Sequence, residues 1–200
     1  MINCLVARDT NREEAMLPRG RTNGSRVVSR KASTGRRYPE RPIAAIGAVV
    51  VKGSHVLLVV RGKDPGCGEW SIPGGVIQLG ETLEHAVIRE TQEEVGILVE
   101  PVGLIEAMDR VIWDEKGMVE YHYVLLDFVC CYRSGSLRAG SDAKEARWVS
   151  DRELERYELR RETADVIRKG FRMAKRRCKD HPGTGATSLG APADPREGGG

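Results

Sequence analysis

The stretch Pro73-Gly74-Gly75-Val76-Ile77-Gln78-Leu79-Gly80-Glu81-Thr82-Leu83-Glu84-His85-Ala86-Val87-Ile88-Arg89-Glu90-Thr91-Gln92-Glu93-Glu94-Val95-Gly96-Ile97 decides how this chain is to be read. Its first part is a turn. Gly74, Gly75 and Gly80 let the backbone bend tightly and leave amides and carbonyls open to an ion or a phosphate, although glycine pairs mark many ordinary turns. Its second part, Thr82 to Val95, carries helical spacing and is closed by Gly96, a residue suited to a left-handed stop. On that helix Leu83, Ala86 and Val87 form an apolar stripe, which runs on into Glu90 and Glu94 with Glu93 beside them. Like charges on one inward-turning arc repel unless a cation compensates. Crowded hard oxygen donors suit Mg²⁺ or Mn²⁺, which keep several waters and bridge to phosphates. A merely solvated acidic face is the competing explanation, and the apolar stripe beneath the carboxylates argues against it.

The spacing is also specific. A Gly, five residues, a Glu, seven residues, then Arg-Glu, two residues, Glu-Glu, one residue, Gly and an aliphatic residue are met by Gly75, Glu81, Arg89, Glu90, Glu93, Glu94, Gly96 and Ile97. This resembles the Nudix box. The one departure is Thr91, where the box usually has an aliphatic residue. A wider likeness to a Nudix domain runs from about Arg41 to Arg177 and includes Glu145-Ala146-Arg147-Trp148. The resemblance implies an α/β/α sandwich with a mixed sheet and a loop-helix-loop site. It further implies that Glu90 and Glu94 are the principal metal ligands and that Glu93 is a further ligand or a holder of metal-bound water. The carbonyl of Gly74 would be a backbone ligand. Arg89 would orient the glutamates, and Glu81 would pair with Arg89 in a structural role. Glu145 resembles a carboxylate that serves as ligand or base, with Asp142 its nearest competitor, and Glu93 is a further candidate for taking the proton from water. The implied catalytic set is thus Arg89, Glu90, Glu93, Glu94 and Glu145, and the implied cofactor is Mg²⁺ or Mn²⁺.

Outward from the box, Ile43–Val51 and Val56–Val60 read as β-rich apolar runs, with Lys52-Gly53 opening the turn between them. Glu69–Ile72 predicts a short strand, Leu98–Trp113 one or two strands, and Met118–Tyr132 a central strand. Ala146–Val149 predicts another short strand, Ser150 a cap for a brief helical turn, and Glu162–Arg177 a basic amphipathic helix. This order is a mixed α/β domain and not a regular βαβ repeat.

Residues 1–40 read as a basic disordered extension and 178–200 as a flexible tail, leaving 41–177 as the folded domain. Between Met16 and Pro39 there is no acid, a pattern that transit peptides and nucleic-acid arms also show. The net charge of +3 is too small to argue for nucleic acid, and no apolar run is long enough to span a bilayer. Lys175, Arg176 and Arg177 lack the aromatic partners that single-strand binding needs. Five scattered cysteines predict neither a disulfide framework nor a zinc site, and hence a reducing cytoplasm.

The expected partner is a nucleotide-derived small molecule, and homodimers are common among the proteins it resembles. A position about sixteen residues past the box separates several substrate classes by a proline or a tyrosine; here it reads Ile112-Trp113-Asp114 and carries neither. The overall pattern resembles the ADP-ribose pyrophosphatase-like branch, with a nucleoside diphosphate derivative such as ADP-ribose as substrate. A triphosphate-sanitising pyrophosphatase is the alternative, as is a nucleotide-sensing module that does not cleave, although such modules generally have broken carboxylate sets. Arg61 either reaches a phosphate or is an exposed strand-end arginine. Trp113 either stacks on a base or anchors a loop, and Tyr121-His122-Tyr123 either touches a pocket or pairs across strands.

Overall fold

The computed structural model describes residues 35–140 and 142–178. Ile43–Lys52 (β1) and His55–Arg61 (β2) form the first hairpin, followed by two short strands, Trp70–Ser71 (β3) and Gly74–Val76 (β4). Helix α1 spans Leu83–Val95, and Ile97–Trp113 (β5), Val119–Gly135 (β6) and Ala143–Ser150 (β7) follow it. A single 3-10 turn at Leu154–Arg156 leads to α2, Arg161–Arg177. The sheet runs β3-β2-β1-β6-β5, with β4 added to β1 and β7 to β2. It is mixed, because β1 and β6 are parallel over Ile43↔Tyr123 to Val51↔Cys131 while β1–β2, β2–β7 and β5–β6 are antiparallel.

Helices cover both faces of this sheet. Ala86, Val87 and Val95 of α1 pack with Ala48, Val50, Leu57, Val59 and Cys130. Val166, Ile167, Phe171 and Ala174 of α2 pack with Val49, Val51, Leu58 and Val129. The alternation along β1 feeds the two layers, since neighbouring strand residues point to opposite faces. Burial on both sides also explains why β1 and β2 read as continuous apolar runs. The architecture is therefore the expected α/β/α sandwich.

Several local expectations are sharpened. Gly74–Val76 is a short strand where the sequence reads as loop. It can lie against β1 because Gly74 has no Cβ, which would collide with the Ile46 carbonyl. Residues 97–113 form one continuous strand, broken in register by irregularities near Pro101 and Leu104. Ser150 does not cap the turn that follows; its hydroxyl donates to the Glu153 carboxylate at 2.6 Å.

One expectation is overturned. Cys131 within β6 is disulfide-bonded to Cys178 just past α2, across a sequence separation of 47. Spacing along the chain could not show this, because only the packing of α2 on the sheet brings the two cysteines together. The cysteine argument for a reducing compartment thereby loses its premise. Cys130 is free and buried, Cys67 is free and exposed, and Cys4 lies outside the described residues. Among the described residues no helix is long and apolar enough to cross a membrane.

Part of the segment read as disordered is also built into the fold. The Tyr38 amide donates to the Glu120 carbonyl at 2.7 Å, its hydroxyl to Asp114 at 3.0 Å, and Arg37 pairs with Glu120 at 2.8 Å. The rest of that segment, 1–34, and the tail from 179 lie outside the described residues.

Candidate active site

Helix α1 is positioned at both ends. Thr82 caps its start, accepting from the His85 amide at 3.3 Å, and Gly96 ends it at φ 73. The Arg138 and Gly140 amides donate to the carbonyls of Val95 and Glu94, so the loop after β6 closes the helix C-terminus. Gly140 makes that approach possible, since a Cβ there would strike the Glu93 carbonyl. Thr91, the departure from the box, is fully buried. Its hydroxyl donates back to the carbonyls of Val87 (2.9 Å) and Ile88 (3.0 Å), which satisfies the polar group inside the core.

Arg89 is the hub of the carboxylates. Its Nε and Nη2 form a fork on Glu81 at 2.8 and 2.9 Å, so the pair expected from the sequence is present. Nη1 reaches Glu90 at 2.7 Å and Glu93 at 3.3 Å, and Nη2 also donates to the Val76 carbonyl. The hydrogen bonds that Arg89 donates to Glu81 hold the guanidinium well above its ordinary value and the Glu81 carboxyl low. Glu90 lies over Gly75, where any Cβ would collide with its carboxyl group. The first box glycine is thus required by the glutamate fifteen residues later.

Glu94 is buried, at 9% exposure, and accepts from the Gly74 amide at 3.0 Å. Burial pushes its carboxyl up to about 7; the Gly74 amide and Arg61 oppose this, while Glu90 and Asp142 add to it. Glu93 lies at the rim, with its side chain 61% exposed. Glu145 sits on β7 opposite Val60, paired with Arg147, whose guanidinium lies over the Trp70 ring on the α2 side. Asp142, ion-paired to Lys63 at 2.6 Å, is the carboxylate outside α1 whose charge reaches Glu94. Of the six predicted residues, the structure brings Gly74, Arg89, Glu90 and Glu94 together, leaves Glu93 at the rim, and places Glu145 apart.

The donor set fits a hard divalent cation. It is all oxygen, and Glu90 and Glu94 are like charges within reach of each other, one of them buried. Among the described residues no three carboxylates, imidazoles or thiols already converge on one point. Glu90 and Glu94, with a backbone oxygen, are residues that could hold such a cation.

Beside these carboxylates, the backbone of Gly74 and Gly75 also lines a cavity of about 380 Å³. The cavity is open to Arg36, Arg61, Arg110 and Arg160, with Tyr123 and the buried Asp127 along β6. That volume suits a nucleotide-sized ligand. Arg61 lines the cavity and lowers Glu94, so it faces both compartments. Tyr123 reaches the cavity, and Tyr123 and Tyr121 pair across strands with Arg110 and Ile112 of β5, so both readings of that strand hold. Trp113 is 62% exposed at the end of β5 and lines no part of the cavity. Arg110, Arg160 and Asp127 carry no motif in the sequence; they become visible only when β5, β6 and α2 are assembled.

Residues 41–170 match the family model for the NUDIX domain. The chain belongs to the Nudix family. It is 30% identical over 129 residues to an ADP-ribose pyrophosphatase of Methanocaldococcus jannaschii, covering 64% of this chain and 74% of that protein. It is 36% identical over 107 residues to an 8-oxo-dGTP diphosphatase of Escherichia coli, covering 53% of this chain and 78% of that protein. The solved MutT Nudix hydrolase of Burkholderia pseudomallei is 28% identical with a TM-score of 0.54, over 65% of this chain and 98% of that one. The Nudix domain of NrtR from Shewanella oneidensis, solved with ADP ribose, shares the fold at a TM-score of 0.54 and 19% identity, over 67% of this chain and 89% of that one. Nudix hydrolases act on phosphoric anhydrides of nucleotide-derived substrates and generally use divalent metal ions, and this chain is an enzyme of that class.

Proposed function

We propose that this Nudix hydrolase cleaves the diphosphate linkage of a nucleoside diphosphate derivative, with ADP-ribose as the leading candidate, using Mg²⁺ or Mn²⁺. The observation that carries the reading is the meeting of two compartments at Gly74. The buried Glu94 accepts from its amide, and the same backbone lines a nucleotide-sized, arginine-bearing cavity. Glu90 and Glu94 with the Gly74 carbonyl would hold the cation, and Glu93 joins them as an outer carboxylate. When bound, the cation neutralises diphosphate charge and lowers the pKa of water, which gives a nucleophile near neutral pH.

The rest is work for the chain itself. Arg89 fixes the Glu90 carboxylate in place and is itself locked by the Glu81 fork. Arg61 supplies a positive charge facing both the carboxylates and the cavity. A carboxylate must also take the proton from the attacking water. We favour Asp142 over Glu145 for this, because its charge acts on Glu94 whereas Glu145 lies on the α2 side of the sheet; each is ion-paired, Asp142 to Lys63 and Glu145 to Arg147. Most of the catalysis is then positioning and charge stabilisation.

The M. jannaschii relative supports the ADP-ribose reading, and the E. coli relative supports a nucleoside triphosphate as the second one. Turnover of ADP-ribose and of a set of nucleoside triphosphates, each with Mg²⁺ or Mn²⁺, separates them. ADP-ribose cleaved to AMP and ribose phosphate is the expected result, and EDTA should abolish it. Activity that survives exhaustive EDTA treatment overturns the metal assignment; triphosphate turnover alone overturns the substrate.

A further inference from the structure

Arg110 lines the cavity and is half-buried there. Its Nη2 is buried without a hydrogen-bond partner, and among the described residues no carboxylate forms an ion pair with it. Its electrostatic surroundings are crowded with its own sign. Burial lowers the Arg110 guanidinium first, and Arg160 and Arg61 lower it further. The carboxylates that oppose them are Glu69 and Glu162, and Glu69 is already held by a fork from Arg160 with both distances 2.7 Å. An unpaired buried guanidinium donor among other arginines is costly, and an anion that accepts from it would compensate. A planar guanidinium with an open edge suits the oxygens of a phosphoryl group.

A fourth arginine arrives from outside the family domain. Arg36 lies before residue 41, where the match to the family model begins, yet it lines the same cavity. The Tyr38 and Arg37 bonds to the β5–β6 end hold its segment there. Arg36, Arg61 and Arg110 all act on Tyr123, so their charges bear on one region of the cavity.

We infer that Arg110, with Arg61 beside it and Arg36 supplied by the segment before β1, forms an anion subsite that takes a phosphoryl group of the substrate. The inference rests on the reading of this cavity as the substrate pocket, and it makes Arg36 part of that pocket. The acids of the cavity lining, Asp109, Asp127 and Glu162, leave the Arg110 edge unpaired and so do not fill the subsite.

The test uses the full chain with EDTA present, so that it is independent of metal and of turnover. Inorganic phosphate is titrated at low ionic strength by calorimetry against wild type, Arg110→Gln, Arg110→Lys and Arg36→Gln. Wild type should bind phosphate. Arg110→Gln should weaken binding about 10- to 100-fold, as expected for a charge-assisted bond, and Arg110→Lys should restore part of it. Arg36→Gln, on an exposed segment that leaves the sheet untouched, should weaken it by a smaller factor of about 3 to 10 and keeps the test valid if Arg110→Gln does not fold. On ADP-ribose the variants should raise KM more than they lower kcat, with Mn²⁺ affinity unchanged. Phosphate binding that is equal in wild type and both Gln variants, or absent in wild type, overturns the subsite even if metal-dependent hydrolysis stands. Loss of hydrolysis in all chains with phosphate binding intact would instead overturn the proposed reaction.

Discussion

At the scale of single residues, the site is a set of charges placed where water cannot fully solvate them. Glu94→Gln keeps the shape and the acceptor for Gly74 but removes the charge. Mn²⁺ affinity measured by spectroscopic titration should fall, and kcat should drop by more than about 100-fold. The same comparison decides the proton acceptor. Asp142→Asn should lower kcat by roughly 10²–10⁴-fold with metal affinity little changed, while Glu145→Gln should be near wild type. The reverse pattern would return the role to Glu145. Asp127 offers a separate pH signature. It is 6% exposed, and burial followed by the nearby Glu106, itself bonded to Lys169 of α2, raises its carboxyl to about 6. Because the folded-state value lies above the ordinary 3.8, the folded chain holds a proton that the unfolded chain has released. That contribution stabilises the fold at low pH and is lost as pH rises from about 4 through about 6. Asp127→Asn should therefore be more stable than wild type at pH 7 by roughly 1–3 kcal/mol in urea unfolding. The gap should close near pH 4, and a gap independent of pH would refute the assignment.

At the scale of elements, α1 acts as the platform, and its sequence satisfies three demands at once. Leu83, Ala86, Val87 and Val95 anchor it to the sheet, Thr82 and Gly96 define its ends, and Glu90 and Glu94 project toward β4. Thr91 is the least typical of its buried residues, and the two carbonyls its hydroxyl bonds to are already bonded within the helix in the usual way. Thr91→Val removes the hydroxyl at nearly constant shape. Thermal unfolding should show a change within about 1 kcal/mol, neutral or stabilising, with kcat unaltered. A loss well beyond that would mean the hydroxyl carries more than a local bond. The apolar and acidic pattern of α1 was fully legible, because a helix places residues three and four apart on one face whatever surrounds it. The face of Glu145 was not legible, because a strand's two faces look alike until the helices that cover them are known.

At the scale of the whole molecule, the long-range ties are where the sequence said least. The Cys131–Cys178 bond closes a 47-residue separation between β6 and the end of α2. By loop closure alone its removal destabilises the chain by up to about 4 kcal/mol. Cys131→Ser should lower Tm under non-reducing conditions, and dithiothreitol should bring wild type down to the same Tm. An unchanged Tm in both would show that packing of Ile167, Phe171 and Ala174 alone holds α2 in place. The segment before β1 is a second long-range tie, since Tyr38 reaches Asp114 and Glu120 some eighty residues onward.

The sequence by itself determined the family, the layered architecture and the carboxylate-bearing helix, because these rest on short spacings within one element. Gly75, Glu81, Arg89, Glu90 and Glu94 could be named as a unit because local helix and turn geometry converts their spacing directly into proximity. Tertiary structure alone decided what stands opposite them. It brought the charge of Asp142 to bear on Glu94, put an unpaired Arg110 beside Arg61 in the cavity, brought Arg36 into the same wall, and joined Cys131 to Cys178. Each of those contacts crosses from one element to another. Their existence depends on sheet order and on which helix covers which face, information that no window along the chain contains.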